Sequence, residues 1–146
     1  MTARMTLEEA QRLVQSFIRA HGGDAQASGL NAKGFGGAAL GDAQVYFEHV
    51  KDSGALKCSA LIYRFRDAPR PGVIDGFRDE EKKGTDAGGG KVDYETENKS
   101  LFLSRTYGVV PSEQQFKEDV DRLVEASLVW GDEVFNRVAD RVIPAK

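Results

Sequence analysis

Residues 55–65 (ALKCSALIYRF) constrain this chain more than any other segment, because both of their alternate faces are largely apolar. In an extended strand Leu56, Cys58, Ala60 and Ile62 fall on one side, and Leu61, Tyr63 and Phe65 on the other. A strand of that kind needs cover on both sides, so it belongs in the middle of a sheet. Its flanks supply the neighbours. Residues 44–50 alternate Val45, Phe47 and His49 against Tyr46, Glu48 and Val50, and Lys51-Asp52-Ser53-Gly54 has hairpin-turn chemistry. A short strand near residues 38–40 precedes them across Gly41-Asp42. Residues 91–96 and 100–107 form a second hairpin around Glu97-Asn98-Lys99, with Val92, Tyr94, Leu101, Phe102, Leu103 and Tyr107 as its apolar positions.

Helices close the pattern at both ends. Thr6 caps a helix that runs to about residue 20, and Glu9, three residues on, completes a capping box. Leu7, Ala10, Leu13, Val14, Phe17 and Ile18 make one apolar stripe, and His21-Gly22-Gly23 ends the helix with glycine suited to a left-handed turn. Ser112 and Gln115 open a second capping box. From there Phe116, Val120, Leu123, Val124, Ser127, Trp130, Val134, Val138 and Val142 continue a single stripe. An unbroken helix of that length measures ~45 Å, more than a domain of this size spans. Gly131 is the expected place for a bend or break, since glycine costs roughly 1 kcal/mol inside a helix.

The order is therefore α-β-β-β-(short α)-β-β-α. That is an α+β fold with a mostly antiparallel five-stranded sheet packed by N-terminal and long C-terminal helices. A chain of 146 residues, 40% hydrophobic and 29% charged, fits one domain over residues 1–146. Residues 66–90 interrupt it with Pro69, Pro71 and repeated glycine, and only residues 77–83 read as helical there. This stretch is expected to be a flexible insertion.

Charge and chemistry exclude more than they suggest. A net charge of -3 with dispersed basic residues offers no footprint for nucleic acid. No run is long and apolar enough to span a bilayer, and Met1-Thr-Ala-Arg-Met-Thr lacks the apolar core of a secretory signal, so a cytoplasmic protein is expected. The glycines at 34–37 and 88–90 are not followed by the Lys-Ser/Thr pair of a phosphate loop. His21 and His49 have no partners at metal-ligand spacing, Cys58 alternates with apolar residues, and the acidic clusters 79–81 and 93–97 lack a calcium-loop pattern. No catalytic residue, metal or cofactor is expected.

One feature points to a partner. If Val45, Phe47, Ile62, Leu101 and Leu103 face the helices, the reverse face offers Tyr46, Leu61, Tyr63, Phe65 and Phe102, rimmed by Glu48, Lys57 and Ser104. A face meant only for water alternates to polar residues, so this one is expected to bind a polypeptide, unless the stripe beyond Gly131 folds over it.

In element order and patterning the chain resembles the type III secretion chaperones and their relatives, including the YbjN-type bacterial proteins. The likeness lies in the capped helix from Leu7 to Ile18, the strand run over residues 38–65, the hairpin from Val92 to Leu103, and the closing helix with Phe116, Val120, Leu123, Val124, Ala126 and Trp130. The resemblance implies a homodimer that holds an extended client segment without nucleotide. Dimerisation through a central leucine-rich helix, which the resemblance also suggests, has no counterpart in residues 66–90, and the extension past Gly131 is a second departure. A rival expectation is a small-molecule-binding regulator or enzyme, with His49, Cys58 and Tyr94 converging in a pocket between sheet and helix.

Overall fold

The computed structural model describes residues 5–24 and 29–142; the first residues Met1 to Arg4 and part of the loop expected after Asp24 lie outside it. The elements are α1 (Leu7–Ala20), β1 (Phe35–Leu40), β2 (Ala43–Val50), β3 (Ala55–Arg64), α2 (Val73–Lys82), β4 (Lys91–Glu95), β5 (Ser100–Tyr107), α3 (Glu113–Val129), a π turn (Trp130–Val134) and α4 (Phe135–Val142). The five strands are antiparallel in the order β1-β2-β3-β5-β4, so β3 is the middle strand, as its sequence demands. This is the α+β architecture and element order expected above.

Local chemistry sets the helix ends. At α1 both halves of the capping box form: Thr6 Oγ1 accepts from the Glu9 amide at 3.1 Å, and Glu9 Oε1 accepts from the Thr6 amide at 2.9 Å. At α3 only the forward half does. Ser112 Oγ accepts from the Gln115 amide at 3.1 Å, while the Gln115 side chain donates instead to Asp119 at 2.8 Å.

The core lies between one face of the sheet and α1 and α3. Phe17, Phe47 and Phe116 meet there, with ring centroids 5.8 to 6.2 Å apart, and Val45, Leu56, Cys58, Ala60, Leu101 and Leu103 form the sheet side of the cluster. A second aromatic group, Phe77, Trp130 and Phe135, joins α2 to the C-terminal helices.

Residues 66–90 hold a longer helix than their sequence suggests. Helix α2 starts at Val73, four residues before the expected turn, and buries Val73, Phe77 and Glu80. Two of the region's glycines are there for space. Gly76 lies where a Cβ would come within 2.7 Å of Val138, and Gly88 takes φ +61 against the Arg122 backbone.

Gly131 does not break the C-terminal helix. The chain widens into the π turn and carries on into α4. Glycine stands there because a Cβ would lie 2.7 Å from the Ile62 carbonyl oxygen. Gly131→Ala is therefore expected to destabilise by about 1–3 kcal/mol through overpacking, despite the ~1 kcal/mol that alanine gains in helix propensity. Urea unfolding checks this: a neutral or stabilising result means the helix moves freely off β3.

Candidate functional site

The strand pairing defines what the second face of the sheet presents. Four rows of side chains cross it: Phe35–Glu48–Lys57–Thr106, Gly37–Tyr46–Ser59–Ser104–Lys91, Leu61–Phe102–Asp93, and Arg64–Ser100–Glu95. Phe102 is 7% exposed yet stands apart from the main core cluster, so its burial comes from its neighbours on the sheet.

The last row corrects the expected composition of this face. Between Leu61 and Tyr63 the pairing with β5 shifts by one residue, with Leu61 opposite Phe102 but Tyr63 opposite Leu101. An extra residue in a strand reverses the alternation beyond it. Tyr63 and Phe65 are thereby carried to the helix side, where Tyr63 packs 4.5 Å from Phe135 and 4.9 Å from Phe65, and Phe65 lies 6.2 Å from Tyr94. Arg64 takes their place on the open face. The stripe beyond Gly131 thus covers Tyr63 and Phe65 in part, leaving Tyr63 40% exposed, while Tyr46, Leu61 and Phe102 stay together on the other side.

On the open face small residues lie beneath large ones, which makes a groove of about 350 Å³. Ser59 and Ser100 line its floor, and Tyr46 and Phe102, which meet edge-to-face at 5.9 Å, line it too. Its polar groups are tied together. Ser59 and Ser104 share a 2.9 Å hydrogen bond, Ser104 Oγ donates to Asp93 at 3.1 Å, and Lys57 Nζ lies 2.6 Å from the same carboxylate. Arg64 donates from Nε to Ser100 Oγ at 3.1 Å and from Nη2 to the Tyr46 hydroxyl at 3.4 Å. A larger groove, about 660 Å³, runs beside β1 between residues 29–31 and Tyr46, and among the described residues its one ionisable lining side chain is the Tyr46 phenol.

The residues weighed for chemistry sit apart. His49 Nε2 is 2.8 Å from the Met5 carbonyl, Tyr94 packs on Phe65, and Cys58 is wholly buried, with its thiol pushed well above the usual range by desolvation. None of the three lines either groove. His21 caps α1 and meets Asp121 at 2.7 Å. Tyr107 donates to the buried Asp119 at 2.8 Å, and burial with that bond raises its phenol; Arg105 completes the group at 3.2 Å from Asp119. Among the described residues no cluster of His, Cys, Asp or Glu is placed to hold a metal ion. Among the described residues no helix is long and apolar enough to cross a membrane.

Sequence patterning missed Arg64 and the serine floor. Lys57, Ser59, Ser100 and Ser104 were the available signal: polar residues at alternate positions on β3 and β5, which mark a face that is only partly apolar.

Sheet order and helix placement define a class of fold: the chain has a type III secretion chaperone-like fold. A chain of the ExsC–ExsE complex superposes with a TM-score of 0.68 at 12% identity, covering 87% of this chain and 94% of that one. A chain of the HopA1–SchA chaperone–effector complex gives 0.63, also at 12% identity, covering 86% and 95%. No protein-family model and no curated protein sequence matches the chain.

Proposed function

We propose that this chain is a non-catalytic, polypeptide-binding protein of the secretion-chaperone type, which holds an extended client segment on its open sheet face. One observation carries it: Tyr46, Leu61 and Phe102 share a grooved sheet face outside the main core, in a fold shared with a chain of a chaperone–effector complex. Burying a client's apolar side chains there contributes roughly 25 cal/mol per Å², less the ordering of the segment. Tyr63 and Phe65, at the edge where α4 meets the sheet, form a second contact. The protein works in the cytoplasm, without cofactor or nucleic acid, alone or as a homodimer.

The test is capture of a client from the native cell by tagged protein, compared with the double variant Tyr46→Ser, Leu61→Ser. Both residues are half-exposed, so the fold is expected to survive with a Tm loss of under about 8 °C. Client recovery is expected to fall at least tenfold. Equal recovery by both proteins, or a monomer that captures nothing and binds no apolar dye, ends the proposal. Tyr63→Ser with Phe65→Ser is a poorer test, because both rings also hold Phe135 and α4.

A further inference from the structure

The groove's charges are unevenly satisfied, and that pattern names the kind of segment it takes. Asp93 is matched by Lys57 and Ser104, and Glu95 accepts from the Asn98 amide at 2.6 Å. Three charges lining the groove have no ion-pair partner among the described residues: Glu48, Arg64 and Glu95, the last held by the Asn98 amide and standing in the same row as Arg64. Arg64 is exposed and Glu48 half-exposed; they stand in the first and last of the four rows, at opposite ends of the groove.

Arg64 is held ready. Each hydroxyl beneath it gives its proton elsewhere, Ser100 to the Asn98 carbonyl at 3.1 Å and Tyr46 to Gln44 at 2.6 Å. Each therefore turns a lone pair to the guanidinium. Two neutral acceptors orient the side chain without an ion pair, its remaining N–H donors have no described partner, and Glu95, across Ser100 in the same row, is turned to Asn98. A planar fork fixed in this way suits a carboxylate. Phe102 and Tyr46 lie between Arg64 and Glu48 and suit an apolar side chain.

Resting on the polypeptide-binding reading, we infer that the groove selects an extended segment of another protein that lays an acidic side chain on Arg64, an apolar one on Tyr46 and Phe102, and a basic one beside Glu48. Lys57, paired across from Glu48, and Arg64 are seven positions apart on β3 with one bulged residue between them. At about 3.3 Å per residue, the ligand's charges stand about six residues apart.

The probes are the heptapeptide acetyl-Glu-Ser-Val-Leu-Val-Ser-Arg-amide, its reversed sequence, and a neutral form with Gln in place of Glu and Arg. Titration into ¹⁵N-labelled protein, following the Arg64 Nε–H and the Phe102 amide, is expected to show one charged order binding at least tenfold more tightly than the neutral peptide. In Arg64→Gln that preference is expected to disappear while the weak affinity for the neutral peptide stays. Arg64→Lys is expected to keep only part of it, since the charge remains and the fork does not. If charged and neutral peptides bind equally, or Arg64→Gln keeps the preference, the charge selection is wrong and polypeptide binding still stands. If no peptide shifts these signals while client capture succeeds, the client sits elsewhere and this inference falls alone. If capture fails too, both fall.

Discussion

Trp130→Ala is expected to remove about 3–5 kcal/mol of stability, the usual loss for a fully buried large aromatic. The indole is wholly buried, lies 6.3 Å from Phe77 at 22° between ring planes, and donates to the Asp86 carbonyl at 2.8 Å. It therefore ties three pieces together: α2, the segment leading to β4, and the π turn that begins at Trp130 itself. For a domain of this size the loss corresponds to a Tm lower by roughly 10–15 °C. Trp130→Phe separates the two contributions. It keeps most of the packing but leaves the Asp86 carbonyl unpaired, and is expected to cost about 1–3 kcal/mol. Urea midpoints at constant m-value check both. A loss below about 1 kcal/mol for alanine would mean that the C-terminal helices are not anchored through this ring.

Glu80→Gln is expected to cost ~2–3 kcal/mol and to act on α4 rather than on the whole fold. Glu80 is 1% exposed, yet its carboxylate has four partners: Arg137 at 2.6 Å, Arg141, Thr85 at 3.0 Å and Lys83 at 3.6 Å. Both arginines belong to α4, so this one side chain clamps α4 to α2. Because they are themselves 49% and 40% exposed, solvent screens the clamp, and the loss stays below that of a fully buried pair. Hydrogen bonds from the arginines and Thr85 outweigh burial and hold the carboxyl down to about 2, against an ordinary 4.5. A depressed folded-state value means that the stabilisation is fully present above about pH 4.5 and is lost as the pH falls towards 2. The wild-type protein is thus expected to lose more stability over that window than Glu80→Gln, with no difference in slope between pH 6 and 8. Hydrogen exchange should show faster opening of residues 135–142 in the variant. Parallel acid titrations of the two proteins would remove the clamp from the account.

The parts legible in the sequence share a physical cause: each is decided by neighbours in the chain. Thr6 and Glu9 cap α1 whatever packs on it, and Lys51 to Gly54 turns the β2–β3 hairpin from its own backbone preferences. The apolar alternation of β3 demanded a central position, and it has one. Tyr46, Leu61 and Phe102 were legible for the same reason, because strand period alone assigns their face.

What escaped depends on contacts between distant segments. In a strand apolar on both faces, an inserted residue leaves no mark on the hydrophobic pattern, so only pairing with β5 shows that Ile62 bulges and that Tyr63 and Phe65 change sides. Glu80 looks like one member of a solvated acidic run until Arg137 and Arg141, 57 and 61 residues away, close over it. Gly131 reads as a helix breaker because its helix propensity is local, whereas its use, the close approach to the Ile62 carbonyl, exists only once α3 lies against β3. Secondary structure and the placing of β3 thus follow from short-range periodicity and capping. The composition of the open face, with Arg64 in it, was decided only when the strands met, because register is a property of a pair of strands and not of either one.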